Sequence, residues 1–272
     1  MHHPHHHKKT IRYFIELAYK GTAYAGFQVQ DNANSIQAEV EKALQILFKA
    51  PFTLTGSSRT DAGVHAWQNY FHVDSDILPE SSETLQRKVY NLNAILPADI
   101  VVKRILPMHS EAHCRFDAVG RHYQYFIYQQ KNPFQQDRAF FYPYTLELTW
   151  LQQAADLLLQ HSNFTSFSKK NTQVNNFVCH LSHSQWQPTA DGFVYSVKGN
   201  RFLRGMVRGL VGTMLRVGTG KISIADFEQI IVNQDCSGAD FSVPPQGLFL
   251  TAVHFPEKYF EQVHGGNDSL NR

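Results

Sequence analysis

Twice along the chain, a stretch alternating apolar and polar residues gives way to one whose apolar residues recur every three or four positions. In the first, "TIRYFIELAY" places Ile11, Tyr13, Ile15 and Leu17 on one side of a strand, and "NSIQAEVEKALQILFK" places Ile36, Val40, Ala43, Leu44 and Leu47 on one helical stripe. In the second, "RHYQYFIYQ" alternates and "TWLQQAADLLLQHSNF" gathers Leu151, Ala155, Leu158 and Leu159. A strand with one apolar side and a helix with one apolar stripe bury both by lying against each other. Capping-box starts are expected at Asn34 with Gln37 and at Thr149 with Gln152.

Shorter signals fill the intervals. "FTLTG", "NYFHV" and "LPADIVVKRIL" read as strands, residues 81 to 95 as a helix carrying Leu85, Val89 and Leu92, and "CHLSHSQWQPTADGFVYSVKG" as two strands about an Asp191-Gly192 turn. The pattern predicts an α+β fold, two domains sharing a mixed, mainly antiparallel sheet with flanking helices. The boundary falls between 105 and 145, giving halves at 10–110 and 111–256 with tails at 1–9 and 257–272. The first tail, with His2, His3, His5, His6 and His7, is polar and is expected to be disordered.

Composition narrows the class. A chain of 272 residues that is 43% hydrophobic can bury a full core, and a net charge of +2 makes any electrostatic case one of clustering. Cys114, Cys179 and Cys236 are odd in number and scattered, which argues against a disulfide framework or a zinc ribbon. No apolar run is long enough to span a membrane, and the start has no signal-peptide core. A cytoplasmic protein without membrane attachment is expected.

Charge does cluster. From Gly192 to Ala225, Lys198, Arg201, Arg204, Arg208, Arg216 and Lys221 occur without one acid. "NRFLRGMVRGLVGTMLRVGTG" reads as a helix over 201–217, with Arg201, Arg204 and Arg208 on one face and Phe202, Met206, Leu210 and Met214 on others. Such a stripe suits a polyanion, although a solvated helix face would look the same. Gly205, Gly209 and Gly212 each cost about 1 kcal/mol against alanine in a helix, which implies that another backbone or a ligand comes close. In "EAHCRFDAVGRHYQYF", His113, Arg115, Arg121 and His122 lie beside Phe116, Tyr123 and Tyr125, a mixture able to stack unpaired bases and hold phosphates. An aromatic core strand is the competing reading.

The loop "GSSRTDAGVHA" holds a single acid, Asp61, two residues after Arg59. Ordinary glycoside hydrolysis needs two carboxylates, and the next acid is Asp74. Asp61 with His65 lacks further ligands at metal-site spacing, and neither H-E-x-x-H nor H-x-x-E-H occurs. A lone carboxylate can act as nucleophile or base, and a neighbouring guanidinium would keep it ionised. A surface Asp capping a turn is the structural alternative.

The string "SRTDAGVHA" resembles the G-R-T-D-A-G-V-H-A signature of the bacterial tRNA pseudouridine synthase A family. "AYKGTAYAGFQVQ", "SIQAEVEKAL", "LNAILPADIVV", "HCRFDAVGRHYQYFIY", "GNRFLRGMVRGLVGTMLRVGTGK" and "PPQGLFLTAV" are similar to further family blocks in the same order, from about residue 10 to 256. The resemblance implies the pseudouridine synthase fold, and Asp61 as the catalytic aspartate with Arg59 as its paired arginine. It implies Tyr123 as the ring that stacks on the target base, Arg115 in a block that contacts tRNA, and Arg208 in a block lining the cleft. With them, His113, Arg201 and Arg204 complete the expected substrate-binding set. It also implies isomerisation of uridine to pseudouridine at positions 38, 39 and 40 of the tRNA anticodon arm, without cofactor or metal, by a homodimer. A non-catalytic tRNA-binding protein on the same scaffold is the alternative. The chain departs from the family pattern at Lys20, Phe27 and Ser58, where aspartate, tryptophan and glycine are usual, and "SKKNTQVNNFVCHL" lacks an arginine-bearing segment, leaving Lys169 and Lys170 as substitutes.

Overall fold

Tyr13, Ile15 and Leu17 on strand β1 (Ile11–Tyr19) are all fully buried, as their alternation predicts. Their neighbours Phe14 and Glu16 on the opposite side are buried as well. The computed structural model describes residues 9–170 and 174–261, and the five tail histidines lie outside the described residues. Along the chain, β1 is followed by α1 (Ile36–Phe48), β2 (Thr55–Gly56), β3 (His65–Ser75), α2 (Ser82–Ile95), β4 (Ile100–Met108), β5 (Gly120–Tyr128) and β6 (Phe140–Phe141). Then come α3 (Leu148–Leu158), β7 (Leu181–Pro188), β8 (Gly192–Gly199), α4 (Met206–Gly218), α5 (Ile224–Asn233) and β9 (Leu248–His254).

All nine strands form one sheet in the order β4-β1-β3-β9-β5-β8-β7, with β2 on β3 and β6 on β5. Pairing is antiparallel except for β3 with β9 and β5 with β6, so the sheet is mixed and mainly antiparallel, as expected. The β3–β9 join is short, with only His65 opposite Phe249 and Ala66 opposite Leu250 in register. On one side of it the strands of the first half pack as β4-β1-β3, and on the other those of the second half pack as β9-β5-β8-β7. The central join therefore depends on a strand from the end of the chain.

The far side of β1 is covered by the segment after β9. Phe255, Tyr259 and Phe260 lie with ring centroids 5.8, 6.1 and 6.4 Å from Phe14. Beneath them Glu16 accepts from Arg104 Nε at 2.5 Å, Tyr70 Oη at 3.0 Å and Gln68 Nε2 at 3.0 Å. Burial alone would raise the Glu16 carboxyl, but these bonds and the Arg104 charge outweigh it and hold the carboxyl below its ordinary range.

The local starts of the helices differ from expectation. Ser35, one residue after Asn34, caps α1 by accepting from Ala38 N, while Gln37 turns away to Leu54 O and Glu41. Glu147 caps α3 through Thr149 N, and Gln152 accepts instead from Trp186 N on β7. The basic helix starts at Met206 rather than 201, because Gly205 sits at φ +73 and breaks the helical path. Arg201 and Arg204 thus lie in the preceding loop, and the three-arginine stripe does not form.

The glycines of α4 do admit close approach. A Cβ on Gly212 would stand 2.2 Å from Asp240 O, and one on Gly209 would stand 2.7 Å from the Phe241 ring. Met206, Leu210 and Met214 are fully buried on the same helix. In isolation, Gly212→Ala would favour the helix by about 1 kcal/mol. Here the overlap with a backbone carbonyl reverses the sign, and a net loss of about 1–3 kcal/mol is expected, read as a fall of several degrees in Tm. A rise in Tm would show that Asp240 gives way freely.

Candidate active site

The loop between β2 and β3 is short and polar, and its shape is fixed by bonds to distant segments. Val64 N donates to Asp61 O at 3.2 Å, closing a turn with Asp61 at its head. Thr60 O accepts from Phe27 N at 3.1 Å, and its hydroxyl meets Tyr19 Oη at 2.8 Å. Asn69 Nδ2 donates to Ser58 O at 2.8 Å, and Gly63 N donates to Tyr24 O at 3.3 Å. A Cβ on Gly21 would come within 2.0 Å of Val64 O. Only glycine lets the segment after β1 lie on the loop this closely.

A buried histidine ties the other side. His65 Nδ1 accepts from Gly21 N at 2.9 Å, and Nε2 donates to Gln246 O at 3.1 Å, so the ring is neutral with its proton on Nε2. Burial lowers its pKa, which keeps it in that form. The Pro244–Gly247 turn is itself pinned by Tyr125 Oη on Pro244 O at 2.7 Å and Arg208 Nε on Val243 O at 2.8 Å. Gly63, at φ +77, faces Pro245. The Asp61 turn is thus clamped between the first loop of the chain and its last.

Asp61 is half-exposed at the mouth of this clamp. Tyr123 on β5 is 8% exposed and edge-on to Phe202 at 5.0 Å. Burial pushes its phenol up to about 12, with Arg121 pulling down and Asp61 adding to the rise. Tyr123 is therefore a neutral ring within electrostatic reach of Asp61.

Arg59 is exposed, and among the described residues no ion pair joins it to Asp61. The expected contact is absent, and Thr60 between the two residues is held by Phe27 N and by Tyr19 Oη. Arg59 turns into a neighbouring cavity with His113, Arg115 and Phe116. Arg208 is half-buried and spent on the 241–243 backbone, Arg201 is half-exposed, and Arg204 is exposed. Arg204 O accepts from Lys169 N at 3.0 Å, which sets Lys169 beside it as a basic rim.

The departures from the family pattern have local partners. Ser58 Oγ accepts from Arg121 Nε at 3.3 Å, a contact that glycine could not make. Phe27 stacks on Phe71 at 4.4 Å and on Tyr19 at 5.7 Å, filling the space under the loop. Lys20 forms an ion pair with Asp137.

Comparison with known proteins follows the same lines. The family model described as tRNA pseudouridine synthase matches residues 154–256. A tRNA pseudouridine synthase A of Porphyromonas gingivalis is 42% identical over 252 residues, covering 92% of this chain and 99% of that protein. A Parabacteroides distasonis protein of the same name is 40% identical, covering 92% and 98%. One from Staphylococcus aureus is 35% identical over 264 residues, covering 96% and 98%.

One measurement tests the clamp and another the buried packing of β3. His65→Leu can serve neither Gly21 N nor Gln246 O, so it should cost about 1–3 kcal/mol of stability for the buried groups left unpaired. It should also lower kcat more than substrate affinity, because it loosens the turn. Equal effects on both, or none, would show that His65 does not position Asp61. The second concerns His72, whose Nδ1 accepts from Cys114 and whose pKa is lowered to about 4 by burial, with the His113 and Arg12 charges adding. Above its ordinary 6.5 the neutral ring carries no penalty. As pH falls towards 4 the unfolded chain takes up a proton that the folded chain refuses. The urea midpoint should drop over that window, and His72→Gln should make the drop shallower.

Proposed function

The chain belongs to the tRNA pseudouridine synthase A family, and from that membership we propose that it isomerises uridine to pseudouridine at positions 38 to 40 of the tRNA anticodon arm. The observation that carries the reading is Asp61, a lone carboxylate held at the head of a doubly clamped turn within electrostatic reach of the neutral ring of Tyr123.

A uridine in a stem or a stacked loop must be flipped out, at a cost of a few kcal/mol. Stacking on Tyr123, worth about 1–3 kcal/mol, and phosphate contacts along the basic rim of Arg201, Arg204 and Lys169 offset that cost. With the nucleoside seated, Asp61 acts as the one anionic group at the reacting atoms. The N1–C1′ bond breaks, the base turns over, C5 bonds to C1′, and the proton lost from C5 is matched by one gained at N1. Nothing is added from solvent, so a single carboxylate suffices where hydrolysis would ask for two. In this reading Arg59 serves the RNA beside the reacting nucleotide instead of the carboxylate.

The proposal extends to a division of the fold into 10–110 and 111–256, a homodimer that holds one tRNA across both subunits, a cytoplasmic place of work, and no cofactor or metal. The division and the place of work rest on the sequence pattern and composition, the homodimer and the lack of cofactor or metal on the resemblance. Among the described residues no helix is long and apolar enough to cross a membrane.

Release of tritium from 5-labelled uridine in unmodified tRNA tests the reaction. Wild type should release it, and Asp61→Asn should lose at least about 10²-fold in rate while still binding tRNA. Binding without release by the wild type would make the chain a non-catalytic tRNA-binding protein. Arg204→Ala should weaken tRNA binding and flatten its salt dependence by about 0.7–0.9 in slope, one phosphate contact. An unchanged slope would remove Arg204 from the interface.

A further inference from the structure

Beside the Asp61 turn lies a cavity of about 320 Å³, and Arg59, His113, Arg115, Phe116 and Gln28 line it. Its most unusual wall is Phe116, which is 73% exposed. Tyr90 and Phe134 are more exposed still, at 78% and 82%, but neither borders this cavity. A large aromatic left in water costs hydrophobic free energy unless something covers it in the working state.

Phe116 is also held still. His113 Nδ1 accepts from Arg115 N at 3.2 Å and from Phe116 N at 3.3 Å, so the imidazole caps the turn that presents the ring. Asp117 Oδ2 accepts from His113 N at 2.8 Å and from Tyr259 Oη at 2.5 Å, tying the turn to the C-terminal segment. His113 stacks obliquely on Phe116 at 4.2 Å, and the Arg115 guanidinium lies 5.7 Å from its centroid. His72 meets His113 edge-on from below at 4.5 Å. The ring is a fixed platform, so little side-chain entropy is lost when a partner stacks on it.

The remaining chemistry suits a nucleotide. Arg59 and Arg115 are both exposed, and among the described residues neither has an acidic partner within 4.0 Å. The Gln28 side chain adds an amide able to donate and accept. An aromatic plane, two guanidiniums and an amide are the groups that hold an unpaired base and its phosphates. Arg59 and Asp61 are two residues apart, so their Cα atoms stand within about 7 Å. We infer that this cavity is a second nucleotide subsite, in which Phe116 stacks the unpaired base next to the target uridine and Arg59 and Arg115 hold the phosphates on either side. His113 is here a positioning residue that sets the platform. The inference rests on the proposed reaction at Asp61 and adds a contact that the reaction itself does not require.

The test uses the full chain and anticodon stem-loop RNAs in which the nucleotide 5′ or 3′ of the target is intact or abasic. Wild type should bind one of the two abasic RNAs about 5- to 150-fold more weakly than the intact RNA, the range for one stacked base. Phe116→Ala should bind the intact RNA as weakly as wild type binds that abasic one, and should no longer distinguish the two. Phe116→Tyr should restore both the affinity and the discrimination. The subsite is refuted if Phe116→Ala binds intact RNA as wild type does, or if it pays the same abasic penalty. Tritium release by the wild type on the intact RNA separates the two failures. Release with an indifferent Phe116 sinks the subsite alone, whereas no release and no binding sinks the proposed reaction and the subsite with it.

Discussion

A single neutral imidazole connects three parts of the chain that are far apart in sequence. His65 accepts a hydrogen bond from Gly21 N and donates one to Gln246 O, from a site that is 1% exposed. Its ring lies 4.5 Å from Phe249, the residue opposite it in the short parallel join of β3 to β9. The join of the sheet's two parts and the clamp on the Asp61 turn therefore meet at the same side chain. Because the partners are 44 and 181 residues away, the turn is shaped only once both ends of the chain have docked. The energetic consequence is that the site has little local stability of its own and inherits that of the whole sheet.

Much of this was legible because burial follows period. Tyr13, Ile15 and Leu17 alternate inward, and Val40, Ala43 and Leu44 lie on one buried stripe, with no long-range information needed. The glycines of α4 carried a correct message too, since Gly212 meets the Asp240 carbonyl and Gly209 the Phe241 ring. Local competition was less visible. Ser35 and Glu147 took caps that Asn34 and Thr149 also suited, because several polar residues near a helix start can each reach a free N–H. A one-residue change in the starting point is enough to reassign the bond.

The basic segment shows a different kind of failure. Reading Arg201, Arg204 and Arg208 as one face assumes that the helix runs through all three, and the left-handed Gly205 ends that assumption. Beyond it, Arg208 bonds to Val243 O and Arg216 to Gly238 O, so two cations of the run serve the protein's own carbonyls. Charge counted along the chain overstates charge offered to a partner. The role of His65 was hidden for a related reason, since both of its partners are backbone groups, whose identity leaves no mark on the sequence.

The separation of Arg59 from Asp61 bears on how one site can both hold RNA and rearrange it. A guanidinium bonded to the carboxylate would stabilise its charge and draw electron density from the oxygen that must react. Thr60, fixed by Tyr19 and Phe27 N, stands between the two residues, and no ion pair joins them among the described residues. Among the described residues no ion pair engages the Asp61 carboxylate, while Arg59 joins Arg115 at the next cavity. On the proposed reading, the positive charge lies at the proposed nucleotide cavity and not on the carboxylate. In the proposed reaction, the solitary acid and the arginine two residues earlier would then divide chemistry from binding across the anchored Thr60.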